Sequence, residues 1–114
     1  MVQVGKNFAM TGGTLISAER IVIGDHVNVG ANTTIMDTDF HPLNAEARRL
    51  DSAPAKTAPV IIEDDVFIGV NCLVLKGVNL GKGSVIGAGS VVTKNVPPFA
   101  IAAGDPARVI GNVQ

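Results

Sequence analysis

The chain repeats an aliphatic residue at every sixth position, and this period is its dominant pattern. In the C-terminal half, six consecutive segments of six residues each begin with Ile, Leu or Val. These first residues are Ile62, Ile68, Val74, Leu80, Ile86 and Val92. Gly follows the first residue in three of the segments, and the fifth position tends to be small or β-branched.

The N-terminal half carries the same period in a less regular form. Segments begin at Ile23, Val29 and Ile35, and a looser set begins at Val4, Met10 and Ile16. One extra residue separates the looser set from the point where the register resumes at Ile23.

A period of six fits no α-helix, because helical faces recur at three and four residues. It fits short extended segments that each turn one side chain inward, three to a triangular coil of about 18 residues. A Gly after the inward residue would allow backbone angles that a Cβ resists at the corner. We therefore predict an all-β chain, a parallel β-helix forming one domain over residues 1–114. A β-sandwich with accidental spacing is the alternative, and the length of the repeat argues against it.

The period breaks between Ile35 and Ile62, and we predict a loop extruded from the coil at about 36–59. Loops of this length in compact folds are usually functional or disordered. The stretch "DTDFHPLN" at its start contains His41, followed by the stiffening Pro42. Imidazole, with an ordinary pKa of about 6.5, can remove a hydroxyl proton near neutral pH. His41 is therefore the candidate general base, the alternative being a solvated loop histidine.

A general base needs a partner for its second ring nitrogen. On an extended segment Asp39 and His41 project to the same side, so Asp39 is one candidate. For Asp37 we favour a cap of the loop through an Asx turn. A backbone carbonyl could orient the ring equally well. The second histidine, His26, falls at a corner of a regular segment and is expected at the surface.

Composition removes several classes of function. The formal charge of −1 gives no footprint for nucleic acid or an anionic membrane surface, and no run reaches membrane-spanning length. The lone Cys72 excludes an intrachain disulfide, so we expect a soluble, cytoplasmic protein. A γ-class carbonic anhydrase uses the same coil but needs three zinc-binding histidines where this chain has two, and we predict no metal requirement.

Three blocks of sequence resemble the hexapeptide-repeat acyltransferases, in particular sugar O-acetyltransferases similar to galactoside and maltose acetyltransferases. The blocks are "IVIGDHVNVGANTTIMDTDFHPL", "VIIEDDVFIGVNCLVLKGVNLGKGSVIGAGSVVTKNVPP" and "AAGDPARVIG". The resemblance implies a left-handed β-helix and a homotrimer with active sites between subunits. It also implies direct transfer of an acetyl group from acetyl-CoA to a sugar or saccharide hydroxyl, with His41 as the base. Cys72 is then a wall residue and no acyl-enzyme forms.

The same resemblance assigns residues to the two substrates. Those expected to hold coenzyme A are Val70 (through its backbone), Ala88, Thr93, Lys94 and Arg108. Thr11 stands where relatives use an Asn to contact the acceptor, and Asp39 is placed on the acceptor side as well. Arg48 and Arg49 could reach an anionic acceptor, although exposed arginines usually serve only solubility.

Two departures from the family leave alternatives open. Phe67 replaces a Trp, which keeps an apolar side chain, and the helical N-terminal segment of the sugar enzymes is expected to be absent. The acceptor sugar and its hydroxyl are therefore not fixed. A serine acetyltransferase-like enzyme is one alternative, because "AAGDPARVIG" resembles its tail. A non-catalytic β-helix subunit is the other.

Overall fold

A computed structural model describes residues 1–114, which form fourteen short strands and one helix. The strands are β1 (Val2–Val4), β2 (Ala9–Met10), β3 (Thr14–Ile16), β4 (Ile21–Ile23), β5 (Asn28–Val29), β6 (Thr34–Met36), β7 (Val60–Ile62), β8 (Phe67–Ile68), β9 (Leu73–Val74), β10 (Asn79–Leu80), β11 (Val85–Ile86), β12 (Val91–Val92), β13 (Ala100–Gly104) and β14 (Ala107–Asn112). The helix α1 (Ala45–Leu50) lies between β6 and β7.

The strands form three sheets that run along the three faces of an elongated prism of 49 × 28 × 22 Å. Face A has the order β1-β4-β7-β10, face B the order β2-β5-β8-β11-β13-β14, and face C the order β3-β6-β9-β12. All neighbouring strands are parallel except β13 and β14, which form an antiparallel hairpin. From β1 to β12 successive strands thus occupy successive faces, and the predicted parallel β-helix is confirmed.

The first residue of each six-residue segment from Ile62 to Val92 is a buried side chain that points into the prism. Ile62 pairs with Leu80, Ile68 with Ile86 and Val74 with Val92, and each pair is 18 residues apart. All six side chains are at most 1% exposed and belong to one continuous core of 18 buried residues. Because burying one such side chain contributes about 1.5–3 kcal/mol, this stack is the main source of stability.

Glycine is needed after the inward residue for a different reason from the predicted one. Gly69 and Gly81 do not adopt positive φ; that conformation belongs to other corner positions, among them Gly83 and Gly89. A Cβ at Gly69 would lie 2.8 Å from the backbone N of Ala88, and one at Gly81 would lie 2.5 Å from that of Pro98. The glycines therefore allow successive coils to approach closely, and the corner angles are accommodated elsewhere.

The first coil is out of the predicted register on face C. Leu15, and not Ile16, pairs with Ile35 and packs against the core. The reason is a shorter corner, since three residues (11–13) connect β2 to β3 where four (30–33) connect β5 to β6. With two adjacent aliphatic residues the sequence pattern fits either register, and the corner length decides between them.

The extruded loop (37–59) leaves the prism at the edge between faces C and A. Its neck is closed by an antiparallel bridge between Thr38 and Thr57, flanked by backbone hydrogen bonds at Asp37 and Asp39. The sequence analysis missed α1 inside this loop, although Asn44 is a recognisable N-cap whose side chain accepts a hydrogen bond from the Ala47 N–H at 2.9 Å. The predicted start at 36 was one residue early, because Met36 still belongs to β6.

No helix of the chain is both long and apolar enough to cross a membrane.

Candidate active site

His41 lies exposed on the extruded loop, immediately after a left-handed residue. Phe40 has φ of 66°, and its N–H donates to Thr38 Oγ1 at 3.0 Å. A bulky residue in this region of φ is uncommon and costs of order 1–3 kcal/mol. The turn directs the chain out of the neck, and the His41 imidazole makes no hydrogen bond within the chain.

Asp39 makes no hydrogen bond to the His41 imidazole. Its carboxylate lies 2.9 Å from Lys76 Nζ in the one salt bridge of the chain, with Lys76 32% and Asp39 23% exposed. The alternation argument placed Asp39 and His41 on one side of an extended segment, but the left-handed Phe40 between them breaks the alternation. Asp39 also donates its N–H to the Lys56 carbonyl at 3.0 Å, so both its backbone and its side chain serve the neck of the loop.

Asp37 is fully buried and holds the preceding coil, so the predicted Asx turn is wrong. Its carboxylate accepts hydrogen bonds from Ser17 Oγ and from the N–H groups of Ala18, Glu19 and Arg20, at 2.6–2.9 Å. Burial alone would raise the pKa of Asp37, but these four donors stabilise the carboxylate and hold its pKa below the ordinary value of 3.8. Asp37 thus joins the neck of the loop to the wall.

Arg48 is used inside the loop. Its Nη1 donates to the carbonyls of Leu43 at 2.7 Å and Pro42 at 3.2 Å, which ties α1 back to the segment after His41. This contact accounts for Arg48 without an anionic acceptor. Arg49 is exposed and forms no ion pair.

A cleft of about 220 Å³ brings together three of the residues predicted to hold coenzyme A. Thr93 and Lys94 line it from the turn after β12, and Arg108 lines it from β14. The other lining residues, which the sequence analysis missed, are Asn95, Pro106, Ala107 and Val109. They are sequence neighbours of the predicted residues in "TKNVPP" and "GDPARVI". Their position beside those residues is the signal from which they could have been predicted. Neither Lys94 nor Arg108 forms an ion pair, and the cleft therefore presents two free cations.

Val70 and Ala88 lie apart from this cleft, at the edge between faces B and C. They are exposed on neighbouring coils, where the Gly89 N–H donates to the Val70 carbonyl at 2.8 Å. Cys72, close by, is buried in the wall as predicted, with its thiol 3.2 Å from the Gly87 carbonyl. The predicted donor residues thus flank face C on both of its edges.

The remaining predicted residues lie in the first two coils and on face B. Thr11 is exposed at the shortened corner after β2, where its N–H donates to the Val29 carbonyl at 3.3 Å. His26 is exposed at a left-handed corner, so its prediction as a surface residue is confirmed. Phe67 is 49% exposed on the outer side of face B.

The neck of the loop, Lys76 and the Thr93–Asn95 side of the cleft lie along one edge of the prism, while the other side of the cleft comes from β14 of face B. The loop leaves after β6, Lys76 follows β9, and Lys94 follows β12, which are successive strands of face C. The neck and the cleft are therefore two coils apart along the axis, or about 10 Å at the usual strand spacing. No group of three or more His, Cys, Asp or Glu side chains is arranged to hold a metal ion.

The family model for the hexapeptide repeat of succinyl-transferase matches residues 20–36 and 59–94. The gap between the two matches coincides with the extruded loop. The chain belongs to the hexapeptide-repeat family. As a member of this family it is a left-handed parallel β-helix, and the hand implied by the resemblance is confirmed.

Relatives of this hexapeptide-repeat chain include sugar O-acetyltransferases. It is 38% identical over 113 residues to a galactoside O-acetyltransferase of Escherichia coli. That alignment covers 98% of this chain and 54% of the relative. A maltose O-acetyltransferase structure from Clostridium difficile superposes with a TM-score of 0.89 at 38% identity, covering 99% of this chain and 59% of that one. A galactoside acetyltransferase in complex with coenzyme A gives a TM-score of 0.91 at 38% identity, covering 99% and 56%. The chain spans about half the length of the curated relatives that it matches.

Proposed function

We propose that the chain, as a single domain over residues 1–114, is an acetyl-CoA-dependent O-acetyltransferase that acts on a sugar or saccharide hydroxyl, with His41 as general base. The observation that carries the proposal is an exposed, unpaired imidazole on a loop that leaves the edge on which Lys94 lies, where Lys94 and Arg108 form a cleft with two free cations. The similarity to galactoside and maltose O-acetyltransferases supports the acceptor class, and the coenzyme A complex of one relative supports the donor.

In the proposed reaction His41 takes the proton of the acceptor hydroxyl while that oxygen attacks the thioester carbonyl carbon. The new C–O bond forms as the carbonyl π bond opens to a tetrahedral oxyanion. When the carbonyl re-forms, the C–S bond breaks and the sulfur leaves with its electron pair. The imidazolium of His41 returns the proton to sulfur, so that the products are the acetyl ester and the free thiol of coenzyme A.

The donor is assigned to the edges of face C. Lys94 and Arg108 would bind phosphate oxygens, Lys94 as a compact charge and Arg108 through its planar guanidinium. Thr93 offers a hydroxyl to the same cleft. Along the other edge, the small side chain of Ala88 leaves its backbone accessible to the pantetheine arm, and Val70 can contribute only backbone there.

A homotrimer with active sites between subunits belongs to the same proposal, as does Thr11 on the acceptor side. In such a trimer the loop of one subunit faces the cleft of its neighbour. The loop and the cleft must therefore lie at matching heights along the common axis of the trimer. The prism offers apolar side chains for such contacts, with Phe67, Val70 and Leu73 exposed on coil 3, the turn formed by β7, β8 and β9. A cytoplasmic location and the absence of a metal requirement stay predictions.

The test is release of coenzyme A thiol from acetyl-CoA across a panel of sugars, with wild type compared with His41→Ala. We expect turnover on at least one sugar to fall by about 10²–10⁴-fold in the variant, because a positioned base contributes that much. Bound coenzyme A should still raise the melting temperature of the variant, because the cleft is intact.

His26→Asn provides the matched control, because it removes the other histidine at a left-handed corner that Asn tolerates. Turnover should be unchanged in this variant. Activity that survives His41→Ala with the oligomeric state unchanged would refute the base, and the absence of turnover on every sugar would refute the acceptor class.

A further inference from the structure

We infer that Lys76 is a positioning residue for His41, acting through its salt bridge to Asp39. The inference rests on the proposed function, in which His41 must be held at the reacting hydroxyl. Nothing in the sequence resemblance assigned Lys76, and Asp39 had been expected on the acceptor side.

The need for such a residue follows from the lack of direct support for the imidazole. His41 has no hydrogen-bond partner in the chain and follows Phe40, whose left-handed backbone is unfavourable for a bulky side chain. A second left-handed phenylalanine, Phe99, contacts Gly83 and is partly buried there, whereas Phe40 is 52% exposed. Packing therefore does not hold the turn at Phe40, and strained backbone persists only where its surroundings determine it.

Besides the backbone pairing of the neck and the buried Asp37, two side-chain contacts hold this turn, and one of them reaches the coil that follows the loop. Thr38 Oγ1 accepts the Phe40 N–H, which closes the turn on itself. The salt bridge of Asp39 to Lys76, at 2.9 Å, joins the residue before the turn to coil 3. Lys76 follows β9, the strand of face C next to β6, so the salt bridge ties the base of the loop to the adjacent coil of the same subunit.

The two charges are about a quarter to a third exposed, and a pair of this kind adds little to global stability. The effect of this salt bridge should therefore appear in the position of the His41 imidazole and not in the stability of the fold. A displacement of about 1 Å in a catalytic group can cost up to about 100-fold in rate. Loss of Lys76 should lower kcat while acetyl-CoA binding, which uses other residues, stays as it was.

The experiment compares Lys76→Met, Asp39→Asn, the double variant and Lys76→Arg with wild type. The matched control is Lys82→Met, which removes an exposed lysine at the edge between faces A and B. Two readouts are used: steady-state thiol release, and the imidazole Cε1–H resonances in the proton NMR spectrum. Because the chain has two histidines, His26 supplies an internal reference for His41 in every spectrum.

We expect Lys76→Met and Asp39→Asn each to lower kcat by roughly 10- to 100-fold, with KM for acetyl-CoA changed by less than about twofold. The double variant should be no worse than the poorer single variant, and Lys76→Arg should recover most of the rate. The His41 resonance should move in both single variants while that of His26 stays in place.

An unchanged His41 resonance in both single variants would overturn the inference, as would additive losses in the double variant or an equal loss in Lys82→Met. If wild type releases no thiol with any sugar, the proposed function fails. The resonances still decide in that case whether Lys76 positions His41.

Discussion

The wall of coils and the extruded loop are built by opposite rules. In the wall, every inward position is an apolar or small side chain stacked on its equivalents in neighbouring coils. In the loop, only Asp37 and Thr38 are buried, and both lie at the neck. The wall can therefore be read as the source of stability, while the loop carries polar and strained residues whose positions depend on a few specific contacts. Substitutions should separate the two regions.

The largest difference should come from truncating one apolar residue in each region. Ile68 is 0% exposed at the centre of face B, and Ile68→Ala should cost about 2–5 kcal/mol of unfolding free energy, because it leaves a cavity between coils. Leu43 is 74% exposed on the loop, and Leu43→Ala should change stability by less than about 0.5 kcal/mol. Denaturant unfolding of both variants measures this. Equal losses would mean that the loop shares the core of the wall.

A smaller loss is expected at the junction of the two regions. Asp37→Asn replaces a carboxylate that satisfies four donors with an amide that has one acceptor oxygen, and it should cost roughly 1–3 kcal/mol. The pH dependence of stability should report the same contribution of the Asp37 carboxylate. Because the pKa of Asp37 is lowered on folding, its contribution is present above the unfolded pKa and is lost as the pH falls through the folded pKa.

Wild type should therefore lose stability on acidification below about pH 4 more steeply than Asp37→Asn. Melting temperatures of both proteins between neutral and acid pH measure the difference. Parallel curves would show that the Asp37 carboxylate contributes nothing on folding.

The smallest expected effect is a gain in stability, and it comes from comparing two buried serines of the wall. Ser84 Oγ is buried without a hydrogen-bond partner, whereas Ser90 Oγ donates to the Gly87 carbonyl at 2.6 Å and accepts the Gly104 N–H at 3.1 Å. Ser84→Ala should stabilise the protein by about 1 kcal/mol, and Ser90→Ala should destabilise it by about 1–2 kcal/mol. Chemical denaturation decides the signs, and a loss in both variants would mean that Ser84 has a partner in solution.

The sequence predicted the wall well because its structure is set locally. One inward residue such as Ile62 or Val74 defines a segment, and the next segment follows six residues later whatever happens elsewhere. The error at Leu15 and Ile16 arose where this local signal was ambiguous. The reason assigned to the glycines was wrong because close approach between coils involves residues far apart in sequence, such as Gly69 and Ala88, which are 19 positions apart.

The candidate site was predicted in part. Thr93, Lys94 and Arg108 line one cleft, although Lys94 and Arg108 lie 14 positions apart in sequence; their binding of coenzyme A stays a prediction. The roles of Asp37 and Asp39 were missed because their partners lie about 20 residues earlier and 37 residues later, at Ser17–Arg20 and Lys76. Nothing in the local pattern of "DTDFHPLN" identifies such partners, since they come from the way the coils stack.

The spacing of the coils also sets the distance between the loop and the cleft along the axis of the prism. Each turn of 18 residues advances the chain by one strand spacing of about 4.8 Å, and the loop and the cleft are two turns apart on one edge. Inserting or deleting a whole turn would change that height by one step while every inward residue kept an equivalent neighbour. Evolution or design can thus adjust the reach between the two halves of the proposed site only in discrete increments, without redesigning either half.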